Sequence, residues 1–330
     1  DHRDLHSFPT RRSSDLVIRA VNPIRLLREM LKAKKTNYAS VPIYLTTFYR
    51  EGVRYKQKFR NLTEAVFKIY KPSSLLNHSQ DHVKLLKMSR IVDSQERDTL
   101  IAKMSAGIDA CLQLDIVKNL PDFLLPDGKG NVYSYASCDM TVIDNRLVNV
   151  ISFRQNKGIK EPLYCGELYI DAENNALVQA RLEINPAYVR QATDMFIERK
   201  TRKWKITAQE VVYTISYRQW NGIYYMNHIR GDLYFKVKLK RQWFSASSLH
   251  TWFEMVTCKV DVDNVTRFQR KERMPTRTIF SDTHFKYDAD FWGEFNVIPW
   301  EEELGTVIEK LSPKIEQRSE ERRVGKECRS

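Results

Sequence analysis

The stretch VVYTISYRQWNGIYYMNHIRGDLYFKVKLK, residues 211–240, decides the fold. Its first arm has an apolar side chain at every second position, and Asn221-Gly222 then favours the tight turn of a β-hairpin. In the return arm apolar residues alternate with lysines, which is typical of a strand with one buried and one solvated face. We therefore predict a long antiparallel hairpin. Its predicted buried side chains are Val211, Tyr213, Ile215, Tyr217, Leu233, Phe235, Val237 and Leu239, and its predicted solvated ones are Lys236, Lys238 and Lys240.

Two further hairpins precede this one. Asp144-Asn145 separates strands predicted over 141–143 and 147–153, and both residue types tolerate the positive φ angles of a tight turn. The turn AENN (172–175) separates LYCGELYID from ALVQARLEI, whose alternation predicts one buried and one solvated face. In that strand we predict burial of Ala176, Val178, Ala180, Leu182 and Ile184, and exposure of Leu177, Gln179, Arg181 and Glu183.

Few helices are predicted. Asn22-Pro23 is a typical helix start and predicts a helix from Pro23 to about Lys35. A second helix is predicted over 105–118, a short one within PAYVRQATDMFIERK (186–200), and a closing one over 301–311. The first helix is predicted to bury Ile24, Leu27 and Leu31. The predicted fold class is α+β, mainly β: a large twisted antiparallel sheet with a few helices on one face.

The composition indicates a chain that folds around a core. Hydrophobic residues make up 42% and aromatic residues 11% of the 330 residues, and no apolar run approaches the roughly 18 residues that span a bilayer. The five cysteines form no CxxC pair and therefore indicate no zinc ribbon. The net charge of +13 favours a polyanionic neighbour, either nucleic acid or an anionic lipid surface, although solubility alone also explains it.

Motifs of catalytic and metal sites are weak or missing. His78 and His82 are the one close histidine pair, but the Pro and Ser around them indicate a loop, and no third zinc ligand lies nearby in the sequence. Nucleophile-elbow and P-loop motifs are absent, and Gly128-Lys129-Gly130 is predicted to be a surface turn. We predict no catalytic residue, metal site or cofactor. A metal-dependent hydrolase remains the alternative.

Two basic runs contain aromatic residues, ERKTRKWK (198–205) and KVKLKRQW (236–243). Interleaved cations and aromatic rings are what a nucleic-acid platform needs, so a nucleic-acid binder is a further alternative. The lysines of the second run lie on the polar side of a strand, where solvated lysines are common. Anionic lipid headgroups fit them equally well. We therefore predict no nucleic-acid partner.

Both ends of the chain differ from the rest. Residues 1–16 (DHRDLHSFPTRRSSDL) have no strand or helix period, and together with RSEERRVGKECRS (318–330) they resemble translated sequencing-adapter sequence. We expect both ends to be non-native tails that pack against nothing, and we expect residues 17–317 to form a single domain.

Several segments in order resemble a Bacteroidota family, the carboxypeptidase-like regulatory domain-containing proteins, in the region that follows their N-terminal sandwich. The segments are VIRAVNPIRLLREML, NYASVPIYLTTFYREGVRY, AVFKIYKPS, DIVKNLPDFL, LVNVISFRQ, EPLYCGELYIDAENNALVQARLEINP and IFSDTHFKYDADFWGEFNVI. The resemblance implies a cell-envelope protein in the periplasm or at the outer membrane. It supplies no catalytic residues.

GELYIDAENNALVQARLEI also resembles a hairpin of lipoprotein-carrier folds, which hold an acyl chain on the covered face of a curved half-barrel sheet. The predicted function is therefore non-enzymatic binding or surface assembly in the envelope, with an envelope protein or an anionic lipid surface as partner and an apolar ligand on the covered sheet face. The residues predicted to line that face are Ala176, Val178, Ala180, Tyr213, Tyr217 and Phe235.

Overall fold

The structure, a computed structural model, describes residues 21–76, 79–92, 107–197, 203–241 and 246–278. The helices are α1 (Pro23–Asn37) and α2 (Gly107–Gln113), with 3-10 helices at Asp122–Leu124, Val189–Phe196 and Arg270–Glu272. The strands are β1 (Ile43–Tyr55), β2 (Lys58–Lys71), β3 (His82–Val92), β4 (Tyr133–Ser137), β5 (Thr141–Ile143), β6 (Arg146–Gln155), β7 (Tyr164–Asp171), β8 (Leu177–Ile184), β9 (Trp204–Trp220), β10 (Ile223–Leu239) and β11 (Ala246–Asp261).

In this part of the chain the strands form one open antiparallel sheet. Its order is β3-β2-β1-β11-β10-β9-β8-β7-β6-β4, and β5 pairs with β6. Most consecutive strands lie side by side, but β3 and β4 stand at opposite ends of this order, and β4 and β5 both pair with β6. The late strand β11 inserts between β1 and β10. The predicted class, mainly β with an antiparallel sheet, is confirmed. The predicted tails and the closing helix over 301–311 lie outside the described residues.

The long hairpin β9-β10 forms as predicted. Asn221 and Gly222 adopt φ angles of 49° and 81°, which is the left-handed backbone that such a turn requires. The apolar residues predicted to be buried in the two arms are buried except Leu239, which is half-buried at the end of β10. Lys236 and Lys240 are exposed, and Lys238 is half-buried. The register prediction is confirmed.

One irregularity changes the predicted faces of β8. Tyr169 pairs with Gln179, but Ile170 pairs with Leu177, so Val178 is an extra residue in the ladder. Because of this bulge, Leu177 and Val178 are both buried, and the prediction that Leu177 is exposed was wrong.

The helices differ in detail from the predictions. The side chain of Asn22 caps α1 by accepting a hydrogen bond of 3.0 Å from the Arg25 amide, but Ile24 is 38% exposed, so its predicted burial was wrong. The second helix ends at Gln113 rather than at Lys118, because the side-chain amide of Asn119 donates hydrogen bonds to the backbone carbonyls of Leu112 and Gln113. The short helix within 186–200 is the 3-10 helix Val189–Phe196.

Except for Arg270–Glu272, which buries no residue, these helices pack on one face of the sheet, which we call the covered face; the opposite one is the outer face. One apolar cluster joins α1, α2, residues 114–124 and the 3-10 helix Val189–Phe196 to strands from β1 to β11. The prediction of helices on one face is thus confirmed for α1, α2 and the 3-10 helices Asp122–Leu124 and Val189–Phe196. Among the described residues, none of the helices is long and apolar enough to cross a bilayer.

Candidate functional site

The six residues predicted to line the covered face come together in the apolar cluster. Each is 6% exposed or less, and all six belong to the cluster that joins the helices to the sheet. The ring of Phe235 lies 6.1 Å from that of Phe196 in the 3-10 helix, and the ring of Tyr217 lies 5.7 Å from that of Tyr38 at the end of α1. The residues are Ala176, Val178, Ala180, Tyr213, Tyr217 and Phe235.

Two cavities lie beneath the helices, and both are small. One of about 30 Å³ is bordered by Tyr38, Tyr217 and Tyr224. The other, of about 10 Å³, lies under α1 beside Met30 and Leu124. Ligand sites in proteins usually measure about 300–1,000 Å³. Neither of these two cavities is therefore large enough for such a ligand.

A buried network of charges closes the covered face at one end. The ammonium of Lys71 lies 2.6 Å from Asp115 and 3.0 Å from Asp81, and Lys118 lies 2.5 Å from Asp81. The Tyr217 hydroxyl donates to Asp115 at 3.0 Å and accepts from the Val117 amide. Burial alone would raise the pKa of Asp115, but Lys71 and these hydrogen bonds hold it below its ordinary value. The network ties residues 115–118 to the sheet.

A groove of about 620 Å³, open to solvent, lies beside the paired ends of β9 and β10, and we call it the basic groove. One wall is the 3-10 helix Val189–Phe196, which is fixed to β9 by a hydrogen bond of 2.9 Å from the Ala208 amide to the Thr193 hydroxyl. The other wall comes from the paired ends of β9 and β10. The groove is lined by Arg190, Gln191, Thr193, Asp194, Lys205, Ile206, Thr207, Gln209, Lys236 and Lys238.

The lysines of the groove lie on the outer face in a like-charged pair. Lys205 and Lys238 are direct cross-strand partners. Lys236 precedes Lys238 by two residues in β10 and therefore lies on the same face. Lys203 and Lys240 continue the row, where the Lys240 amide donates to the Lys203 carbonyl. Like charges directly opposite each other destabilise a sheet. No carboxylate in the described part of the chain forms an ion pair with Lys205, Lys236 or Lys238.

Sequence reasoning noted both basic runs but missed that they meet. The signal was present, because Lys205 and Lys238 stand at equal distances from the Asn221-Gly222 turn. Two bulges in the β9-β10 ladder, one on each strand, cancel, so this simple count gives the observed pairing. The contribution of the 3-10 helix to the groove has no comparable signal in the sequence.

Of the predicted histidine pair, only His82 is among the described residues. His82 stacks on Tyr70 with ring centroids 5.3 Å apart, and burial, with nearby Arg273 and Arg267, lowers its pKa. His78 lies outside the described residues. Within the described ranges no three His, Cys, Asp or Glu side chains stand close enough together to hold a metal ion. The Gly128-Lys129-Gly130 segment is an exposed turn, as predicted.

No family model matches the chain, and no curated protein matches it. Solved structures show a distant likeness. A DUF1329 family protein from Desulfovibrio piger is 9% identical, over 77% of this chain and 100% of that one, with a TM-score of 0.33. A putative outer membrane lipoprotein-sorting protein domain from Vibrio parahaemolyticus is 8% identical, over 73% and 93%, with a TM-score of 0.30. A LolA superfamily protein from Nitrosomonas europaea is 10% identical, over 78% and 99%, with a TM-score of 0.23.

Proposed function

We propose that the protein is a non-enzymatic binding protein of the cell envelope and that the basic groove is its binding site for an anionic ligand. The envelope location rests on the sequence segments that resemble the Bacteroidota family. The site rests on one observation, the direct pairing of Lys205 with Lys238 in the wall of an open groove.

A bound anion relieves the repulsion between these lysines. Two cross-strand lysines favour any ligand that places negative charge between their ammonium groups, and at about 4 Å each opposite-charge contact contributes about 1 kcal/mol in water. Lys236 and Arg190 add further donors at the same groove. The interaction is electrostatic and solvent-exposed, so its strength falls as salt is added.

The test is a calorimetric titration of the full chain with tripolyphosphate at low and high salt. Lys238→Glu places an opposite charge beside Lys205, so the variant keeps or gains sheet stability while the groove loses its anion site. We expect its affinity to fall at least about tenfold. Lys129→Glu makes the same charge change in an exposed turn, and this control should bind like the wild type. Equal losses in both variants, or no binding by the wild type, would refute the groove as the site.

A second candidate ligand is the apolar one predicted for the covered face. The observation that favours it is that Tyr38 and Val117 border both small cavities, so a displacement of α1 would join the two. In this arrangement α1 acts as a cover that an acyl chain lifts. Lipid that co-purifies with the wild type and is lost from Ala180→Trp would support this ligand.

A further inference from the structure

We infer that the basic groove docks the protein onto the surface of a bilayer that contains anionic phospholipids. This inference rests on the proposed anion site and adds the partner: phosphodiester headgroups enter the groove, while apolar side chains at its border enter the interfacial layer of the membrane. The structural support is that exposed side chains with apolar surface lie beside the lysines.

Exposed side chains with apolar surface border the groove on both walls. Met195 directly follows Thr193 and Asp194 in the 3-10 helix, and it is 62% exposed. On the other wall Tyr234 precedes Lys236 by two residues, shares its face of β10 and is 40% exposed. A flexible apolar side chain and an amphipathic ring beside several cations are the combination that binds an anionic membrane surface.

The lysines suit this partner as well. Their alkyl chains can lie along an apolar surface while the ammonium groups reach the phosphates. Lys203, Lys205, Lys236, Lys238 and Lys240 form one patch at the paired ends of β9 and β10. Clustered cations near an anionic membrane add to one another's attraction, so a patch of this size attracts such a surface at moderate salt.

The same observations disfavour a nucleic acid as the partner. Proteins bind single strands by stacking the bases on aromatic rings, and none of the described residues that line the groove is aromatic. The nearby ring of Tyr234 stacks on the imidazole of His250, with centroids 4.2 Å apart and planes 5° from parallel, so one of its faces is already occupied.

The experiment is co-sedimentation of the full chain with vesicles of phosphatidylcholine, with or without phosphatidylglycerol. We expect binding only when phosphatidylglycerol is present, and we expect salt and Lys238→Glu to abolish it. Met195→Ser should weaken vesicle binding roughly threefold to tenfold and leave tripolyphosphate affinity unchanged, because it removes only apolar contact. Val142→Ser changes a side chain of equal exposure, 62%, in the β5 strand and should have no effect.

The outcomes separate this inference from the proposed function. If tripolyphosphate binds at the groove but phosphatidylglycerol vesicles do not, membrane docking is wrong and the anion site stands. Equal vesicle binding by Met195→Ser and wild type removes the apolar part of the inference, and tighter binding to an oligonucleotide than to vesicles overturns it in favour of nucleic acid. If tripolyphosphate does not bind either, both the membrane docking and the anion site are refuted.

Discussion

Lys71 keeps its charge inside the protein because two carboxylates face it. Burial alone would lower its pKa, but Asp115 and Asp81 more than offset this and raise it. Lys71→Met leaves both carboxylates buried with one partner fewer, and we expect a loss of about 3–5 kcal/mol in the free energy of unfolding. Lys32→Met, at an exposed lysine that pairs with Glu29 on α1, should cost under about 1 kcal/mol. Urea unfolding of both variants measures the difference, and equal losses would show that the network does not stabilise the fold.

Asp232 on the outer face makes stability depend on acid pH. Burial would raise its pKa, but hydrogen bonds from His250 and Arg230 lower it to about 2. Because the folded value lies below the unfolded value of about 3.9, the carboxylate stabilises the fold above about pH 4, and this contribution is lost as the pH falls through about 2. We expect the loss to be on the order of 2 kcal/mol.

Asp232→Asn should therefore flatten the decline in unfolding free energy between about pH 5 and 2. Asp139→Asn, at an exposed position, is the matched control and should decline like the wild type. An Asp232→Asn variant that loses stability as steeply as the wild type would contradict the assignment of this carboxylate.

At the scale of the element, the β9-β10 hairpin was predictable because one short-range pattern determines it. The apolar alternation and the turn pair set the register, and a slip by one residue would bury the lysines. Phe235 is 2% exposed and packs on Phe196, so Phe235→Ala should cost about 3–5 kcal/mol. Lys238→Ala should cost almost nothing. In thermal melts, Phe235→Ala should lower the melting temperature far more than Lys238→Ala does. The reverse order would overturn the strand register.

Other elements were less predictable because distant residues define them. The bulge at Val178 depends on β7, which lies across the ladder, and the end of α2 depends on Asn119, which follows the helix. Neither partner is visible in the periodicity of the element itself. The cap of α1 is local, and Asn22-Pro23 therefore placed its first residue correctly.

At the scale of the molecule, the sequence predicts an antiparallel sheet but not its order. The insertion of β11 between β1 and β10 joins the early and late parts of the chain, and no local pattern encodes that pairing. The buried network has the same origin, since Lys71, Asp81 and Asp115 lie on separate segments that only the fold brings together. The basic groove has one feature of each kind. The Lys205–Lys238 pair follows from the hairpin and was predictable, whereas the helical wall depends on the fold and was not.

Packing on the covered face decides whether an apolar ligand belongs there. Ala180 is fully buried in β8 between Leu168 and Ile215, so Ala180→Trp adds a large side chain to the covered face where an apolar ligand is predicted. If the face holds a ligand, native mass spectrometry of the wild type from its own envelope should show bound lipid, and Ala180→Trp should lose it. Ala136→Trp, at an exposed position of β4, is the control and should retain it.

Overpacking alone costs typically about 1–3 kcal/mol, so a melt must first establish that Ala180→Trp folds. The wild type decides the matter even where that variant does not fold. A protein that neither co-purifies with lipid nor takes up a fluorescent fatty acid has a core packed to the density usual for protein interiors. Its binding chemistry would then lie on the outer face, at the basic groove.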